Sequence, residues 1–480
     1  MKNFLPAALL ALPLALSAAD TPANWAELKA KAEQGDALAQ YNVGVMYEHG
    51  DGVPRLNVEA VKWYRLAAEQ GLAAAQYNLG LMYAGGTGVQ VNRAEAVRWW
   101  RKAADQGDAD AEYNLGSMYA NGTGVPKDQA EALKWFRRAA QQGHASAHYS
   151  IGVMHEQGDG GRPDRTEAVK WYRLSAELGG LAAQRRLGEM YADGIGVPPD
   201  RTEAVKWWRQ AAGQGDATAQ YNLGLIYAHG DGVPQDSAEA VRWYRLAAEQ
   251  GFAEAQSNLG LMYAHGDGVP QDNTEAMKWY RLAAAQDVAA AQYNLGLMYA
   301  HGDGVPQDRA EALRWYRLAA ELGFAEAQTD LGLMSATGDG VPQDSAEAVR
   351  WYRLAAEQGF ARACHNLGVL YTFGNGVARD GTEAVRWYRL AAEQGFAPSM
   401  YNLGVALINE NEPANNLVEA HAWLTVSQAL GFAQAQGPAN TLKARMTREQ
   451  IAESEILAQA RIEKFSKTAR GVAPVTPQSK

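Results

Sequence analysis

The stretch ATAQYNLGLIYAHGDGVPQDSAEAVRWYRLAAEQGF, residues 217–252, is one of a series. Cut every 36 residues from Ala37, the chain falls into eleven rows that align without insertion or deletion through Phe432. A fixed period of this length is the mark of a solenoid, in which each unit buries its apolar face only against its neighbours. The 480 residues therefore read as one continuous array, not as the two to four or so separate cores that length alone suggests.

Each row holds two helical patterns. In the first, Ala217, Ala219, Leu223, Gly224 and Tyr227 share a face at spacings of three and four. In the second, Ala240, Trp243, Tyr244, Ala247 and Ala248 do the same, and Gly251 stands where a helix end needs a left-handed residue. Large rings alternate with Ala and Gly, so helices can approach closely while rings fill the gaps. The row is expected to be a helical hairpin.

Its corner, AHGDGVPQD at 228–236, 264–272 and 300–308, is rich in residue types that hold metals and phosphates. The spacing reads instead as a turn. Gly230 can close the first helix, Asp231-Gly232 can turn the chain, and Pro234 holds Val233 extended. Asp236 can then cap the second helix, with Glu239 completing a capping box. His49, His229, His265 and His301 each precede an Asp by two residues. Successive rows lie two helix layers of about 8 to 10 Å apart, too far for these histidines to converge within about 2.0 to 2.3 Å of one zinc ion. The corner also lacks the alternating oxygen ligands and closing Glu of a calcium loop, and no phosphate loop of the G-x-x-x-x-G-K form occurs.

Neither G-x-S-x-G nor S-x-x-K is present. His155-Glu156 starts an H-E motif without its second His, and Cys364 and His365, as neighbours on a helix, point apart. No catalytic residue, metal or cofactor is expected. Cys364 is the single cysteine, which excludes a disulfide framework and reads as a small buried side chain. A formal net charge of -10 argues against nucleic-acid binding, which needs a basic face.

At the N-terminus, Lys2 precedes an apolar run from Phe4 to Leu16 and the small residues Ser17, Ala18 and Ala19. That order reads as a cleaved signal, residues 1–19, with a run too short for a bilayer span of about 20 residues. The mature chain from Asp20 is expected in the periplasm or secreted, with no Cys there for lipid attachment and no other spanning segment. Residues 24–35 read as an N-terminal capping helix within 20–36. Beyond the rows, 433–470 read as C-terminal capping helices, with Thr447 and Gln450 as a capping box, and 471–480 as a disordered tail.

The pattern A-x-A-Q-x-x-L-G-x-x-Y, then G-x-G-V, then E-A-x-x-W-x-x-x-A-A-x-x-G resembles the Sel-one-like repeat, a relative of the tetratricopeptide repeat. It is carried by residues such as Ala253, Ala255, Leu259, Gly260, Tyr263, Gly266, Gly268, Glu275, Ala276, Trp279, Ala283 and Ala284, and extends over 37–432. The resemblance implies an all-α, right-handed α/α superhelical solenoid used for protein–protein contact, often in bacterial envelopes. It also implies that row positions 2, 5, 6, 9, 12 and 13 line a concave face.

Positions 5 and 6 give a ladder of Tyr and Asn: Tyr41 and Asn42, Tyr77 and Asn78, Tyr113 and Asn114, Tyr221 and Asn222, Tyr293 and Asn294, Tyr401 and Asn402. Tyr supplies a rigid amphipathic surface and Asn a donor and an acceptor, a combination that suits a peptide; packing between rows would use them equally well. The rows that break the ladder are therefore the better candidates for specificity. Row five substitutes Arg185 and Arg186 and adds Glu189 and Asp193. Row seven has Ser257, row nine Thr329 and Asp330, and row ten His365 and Phe373. The second helix, with Glu239, Arg242, Arg245 and Glu249 at spacings of three or four, reads as a self-paired solvent face.

The expected function is a non-catalytic exported scaffold or adaptor that takes protein or peptide segments. Two alternatives stand beside it. One is a component of envelope polysaccharide export or another secretion assembly, a role of some relatives, several of them lipid-anchored. The other is the β-lactamase or penicillin-binding activity proposed for cysteine-rich relatives, whose paired cysteines this chain lacks.

Overall fold

The computed structural model describes residues 23–159, 161–409 and 415–471. The expected signal, 1–19, lies outside them, as does the expected tail, 471–480, apart from Gly471, which ends the last helix. The described residues form twenty-five α-helices and one 3-10 turn, Ala433–Ala435, with no strand among them. They divide into two compact units, Met1–Gln235 and Asp236–Lys480, each a run of helical hairpins.

Row seven shows how a row folds. Its first helix, Ala253–His265, ends on Gly266, which has φ 78° and returns its N–H to the Met262 carbonyl. The second helix, Asn273–Ala284, starts from Asp272, whose carboxylate accepts from the backbone of Thr274 at 2.9 Å and Glu275 at 3.0 Å. Only half of the expected capping box forms. The Asp272 N–H is already taken by the Tyr263 carbonyl at 2.9 Å, so the Glu275 side chain turns outward to Lys278 at 3.2 Å. Glu239 likewise pairs with Arg242, at 2.9 Å, and not with the cap of its own helix. Between the two helices Gly268, at φ 71°, lies so close to the previous row that a Cβ would sit 2.3 Å from the Ser237 backbone.

Inside a row, the ring at position 28 lies flat on the backbone of the first helix. A Cβ on Gly116 would come within 2.5 Å of Phe136, and on Gly260 within 2.8 Å of Tyr280. Glycine at position 8 is therefore required by packing. The core keeps the expected Ala219, Leu223, Gly224 and Tyr227 and adds position 10. Position 10 is buried, with Met262 7% and Met298 6% exposed. At position 11 Tyr191 and Tyr227 are buried, whereas Tyr263 and Tyr299 stay half-buried at the rim, their hydroxyls accepting from Arg245 at 2.7 Å and Arg281 at 2.8 Å.

Position 4 carries a buried amide that links rows. Gln76 donates to the Ala68 carbonyl of the preceding row at 3.0 Å and accepts from Gln106 at 2.8 Å. Gln256 does the same with Ala248 and Gln286, at 3.0 and 2.9 Å. A buried amide satisfied on both ends fixes register at no cost in unpaired groups.

The ends are closed by other helices. Trp25 and Leu28 of Ala23–Glu33 pack with Tyr47 and Trp63 over Ala32, Ala39 and Val43. At the other end, Ala458 and Phe465 of Arg448–Gly471 join the core of the last hairpin, Ala397–Asn409 and Asn415–Ala429. Thr447 and Gln450 exchange bonds of 2.9 and 3.3 Å as the expected reciprocal cap.

Candidate functional site

In the first unit the ladder residues are half-buried. The Tyr41 ring lies 5.7 Å from Tyr64, and Tyr113 lies 5.7 Å from Phe136 and stacks on His144 at 4.6 Å. Asn78 interacts with the hydroxyls of Tyr41 and Tyr64 in the preceding row, and Asn114 with Tyr77. Burial raises these phenols, Tyr77 to about 12. Asn42, Tyr221 and Asn222 are half-buried at the same positions.

The second unit repeats the arrangement with more aromatic neighbours. Tyr293 sits between Tyr316 at 5.5 Å and Phe324 at 5.3 Å, and Tyr401 lies 5.4 Å from Phe432. Asn294 reaches Tyr280 and Asn402 reaches Tyr388. Asn78, Asn114, Asn294 and Asn402 thus tie their rows to the one before, while the tyrosine rings keep one flank at the surface.

Rows that break the ladder also use their substitutions internally. Asp330 accepts from the Tyr293 hydroxyl at 2.9 Å and pairs with Arg362. His365 shares a 2.8 Å bond with Ser399 and lies among Tyr388 and Phe396, and burial pushes its imidazole down to about 4. Phe373, in contrast, is 69% exposed at the end of its helix. Ser257 and Thr329 are buried.

Row five holds a charge network. Arg186 is clasped by Glu156 of the preceding row and by Glu189 at 2.7 Å, and Glu156 also accepts from Tyr172 at 2.7 Å. Arg185 is held more loosely, at 3.4 Å from Asp216 and 4.0 Å from Glu189, and remains 39% exposed. Asp216 is committed to capping its own helix at Ala219, 2.8 Å away. Asp193 stands exposed at the end of the row-five first helix, apart from this network. Of the five charges that meet here, Arg185 is the one best placed to exchange its present contacts for a partner's carboxylate.

One charged pair escaped the sequence reading. Glu112 replaces the position-4 amide and is 1% exposed; Arg138, in the place where Leu stands in many rows, reaches it at 2.8 Å. The signal was the coincidence of both departures in row three. Cys364 occupies the same amide position in row ten, fully buried, with Sγ 3.7 Å from the Ala356 carbonyl, and burial raises its thiol.

At the corners His265 and His301 lie 3.9 Å from Asp267 and Asp303, exposed and in separate rows. Among the described residues no three His, Cys, Asp or Glu are grouped to hold a metal, and no helix is long and apolar enough to cross a membrane.

A model of the Sel1 repeat matches ten consecutive stretches of 36 residues, from 37–72 to 361–396. The chain belongs to the Sel1 repeat family. Among solved structures of the family it is similar to a protective antigen of uropathogenic Escherichia coli that displays this fold. The two share 36% identity over 95% of this chain and 99% of that one, with a TM-score of 0.85. A Sel1 repeat protein from Oxalobacter formigenes is 34% identical over 70% of this chain and 87% of that one, with a TM-score of 0.45. A search of curated proteins returned no match. The likeness to the E. coli antigen establishes the solenoid of stacked hairpins, and the family match accounts for the recurring Gly, Gln and Trp positions described above.

Proposed function

We propose that this Sel1 repeat protein is an exported, non-catalytic scaffold that holds segments of partner proteins along its first-helix face, through the Tyr and Asn ladder and the rows that interrupt it. The observation that carries the reading is the division of labour in the repeat. Positions 4, 8 and 28 are consumed by packing, whereas the exposed flank changes from Tyr41 and Tyr113 to Arg185 and Phe373 along the chain. Distributed contact with specificity at a few positions is how extended interfaces work.

Export is supported by the order of charge, apolar run and small residues in 1–19. It is also in keeping with the E. coli relative being a protective antigen. On this reading the chain matures at Asp20 and works in the periplasm or outside the cell, within an envelope complex. Mass spectrometry of the protein recovered from a periplasmic or culture fraction tests this directly: a mature N-terminus at or near Asp20 is expected, and an intact Met1 in the cytoplasmic fraction contradicts it. A chromogenic β-lactam is expected to remain intact with the purified protein, and turnover abolished by a point substitution would overturn the non-catalytic reading.

A further inference from the structure

The second helices of rows six to ten carry Leu246, Leu282, Leu318, Leu354 and Leu390 at one repeated position. Four of them are 38 to 46% exposed, and Leu318 is half-buried. Beside Leu246 the surface opens into a pocket with Val241, Val269 and Pro270 on its apolar side and Arg242 and Arg245 at its edge. In most rows such arginines are occupied. Arg245, Arg281 and Arg353 donate to a tyrosine in the next row, and Arg242, Arg314 and Arg386 pair with a glutamate one turn earlier.

Two adjacent rows each break one of these rules. Opposite Arg317, row nine has the buried Ser335 in place of the tyrosine, so the guanidinium loses its acceptor. On the next second helix Glu347 turns to the Trp351 indole at 3.3 Å, and Arg350 is left without it. Both arginines are exposed, and no hydrogen bond or ion pair engages either among the described residues. The face expected to be fully self-paired therefore offers two free cations beside Leu318 and Leu354.

We propose that this second-helix face of rows eight and nine is a docking site for a segment of a partner protein that combines aliphatic side chains with carboxylates. The leucines supply apolar area, and the unpaired guanidiniums select the sign of charge. The site is distinct from the first-helix face and stands or falls independently of it.

Fluorescence anisotropy with three labelled peptides of equal length, one alternating Leu and Glu, one Leu and Lys, one Ser and Glu, tests the assignment on the mature chain. Only the Leu–Glu peptide is expected to bind, more weakly as salt rises. Arg317→Ala with Arg350→Ala should weaken it about tenfold, Leu354→Ser should weaken it further, and Lys at both arginine positions should restore most of the affinity. Circular dichroism of these surface variants is expected to match the parent. The proposal is overturned by failure of the Leu–Glu peptide to bind, by equal binding of the Leu–Lys peptide, or by loss on Tyr293→Ala with none on the arginine variant. Concentration-dependent self-association dispersed by Leu354→Ser would overturn it too, since the face would then be covered by a second copy.

Discussion

At the scale of single residues, the same row position can be a packing requirement in one place and a chemical choice in another. Position 8 is a requirement. Gly260→Ala would drive a methyl to within 2.8 Å of the Tyr280 ring, and is expected to cost about 1 to 3 kcal/mol in denaturant unfolding. Position 4 is a choice that brings its own partner. Arg138→Leu restores the leucine of other rows but leaves the buried Glu112 without its cation, with the Gln142 amide at 2.8 Å as its remaining donor, and should cost about 2 to 3 kcal/mol, a range lowered because Arg138 is 37% exposed. Adding Glu112→Gln should return most of that stability, and a double-mutant cycle reads the coupling. His365 introduces a pH dependence. Its folded value is about 4 against an ordinary 6.5, so between these the unfolded chain takes up a proton that the native chain does not. Stability should therefore be lost as the pH is lowered through that window, by up to about 3 kcal/mol. His365→Tyr, the residue of other rows, should flatten that part of the profile; an unchanged slope would mean that other groups cause it.

At the scale of the element, the hairpin was legible because its punctuation is strict. Gly266, Gly268 and Asp272 mark the end of one helix, the turn and the start of the next, and they do so in the structure. Asp272→Ala should cost about 1 kcal/mol as a lost cap. Gly268→Ala should cost more, because its Cβ would also push away the Ser237 backbone of the preceding row. Thermal unfolding of the two variants measures the difference. What the sequence concealed was where side chains turn once rows are stacked. Glu275 reaches outward because the Tyr263 carbonyl of its own row holds the Asp272 cap N–H, and Glu239 likewise pairs with Arg242. The core includes Met262 and leaves Tyr263 at the rim. The pairing of Arg186 with Glu156 joins residues 30 apart in sequence, a separation that local spacing rules do not address.

At the scale of the whole chain, a periodic structure makes function a matter of exceptions. The repeat was readable from 37 to 432, and ten of its rows match the Sel1 family. The candidate site was readable only in part. The Tyr and Asn ladder lies half at the surface, as a binding face requires, yet Asn78, Asn294 and Asn402 also tie rows together. Row five remains the strongest interruption, because Arg185 is exposed and loosely held. The most direct test of a scaffold with specificity in its exceptional rows is a crosslinking pull-down from envelope extracts with the mature chain. It is run beside a variant in which Arg185→Tyr and Arg186→Asn restore the ladder. Retained helicity with loss or exchange of the captured partners is the predicted result; recovery of the same partners in the same amounts would contradict it.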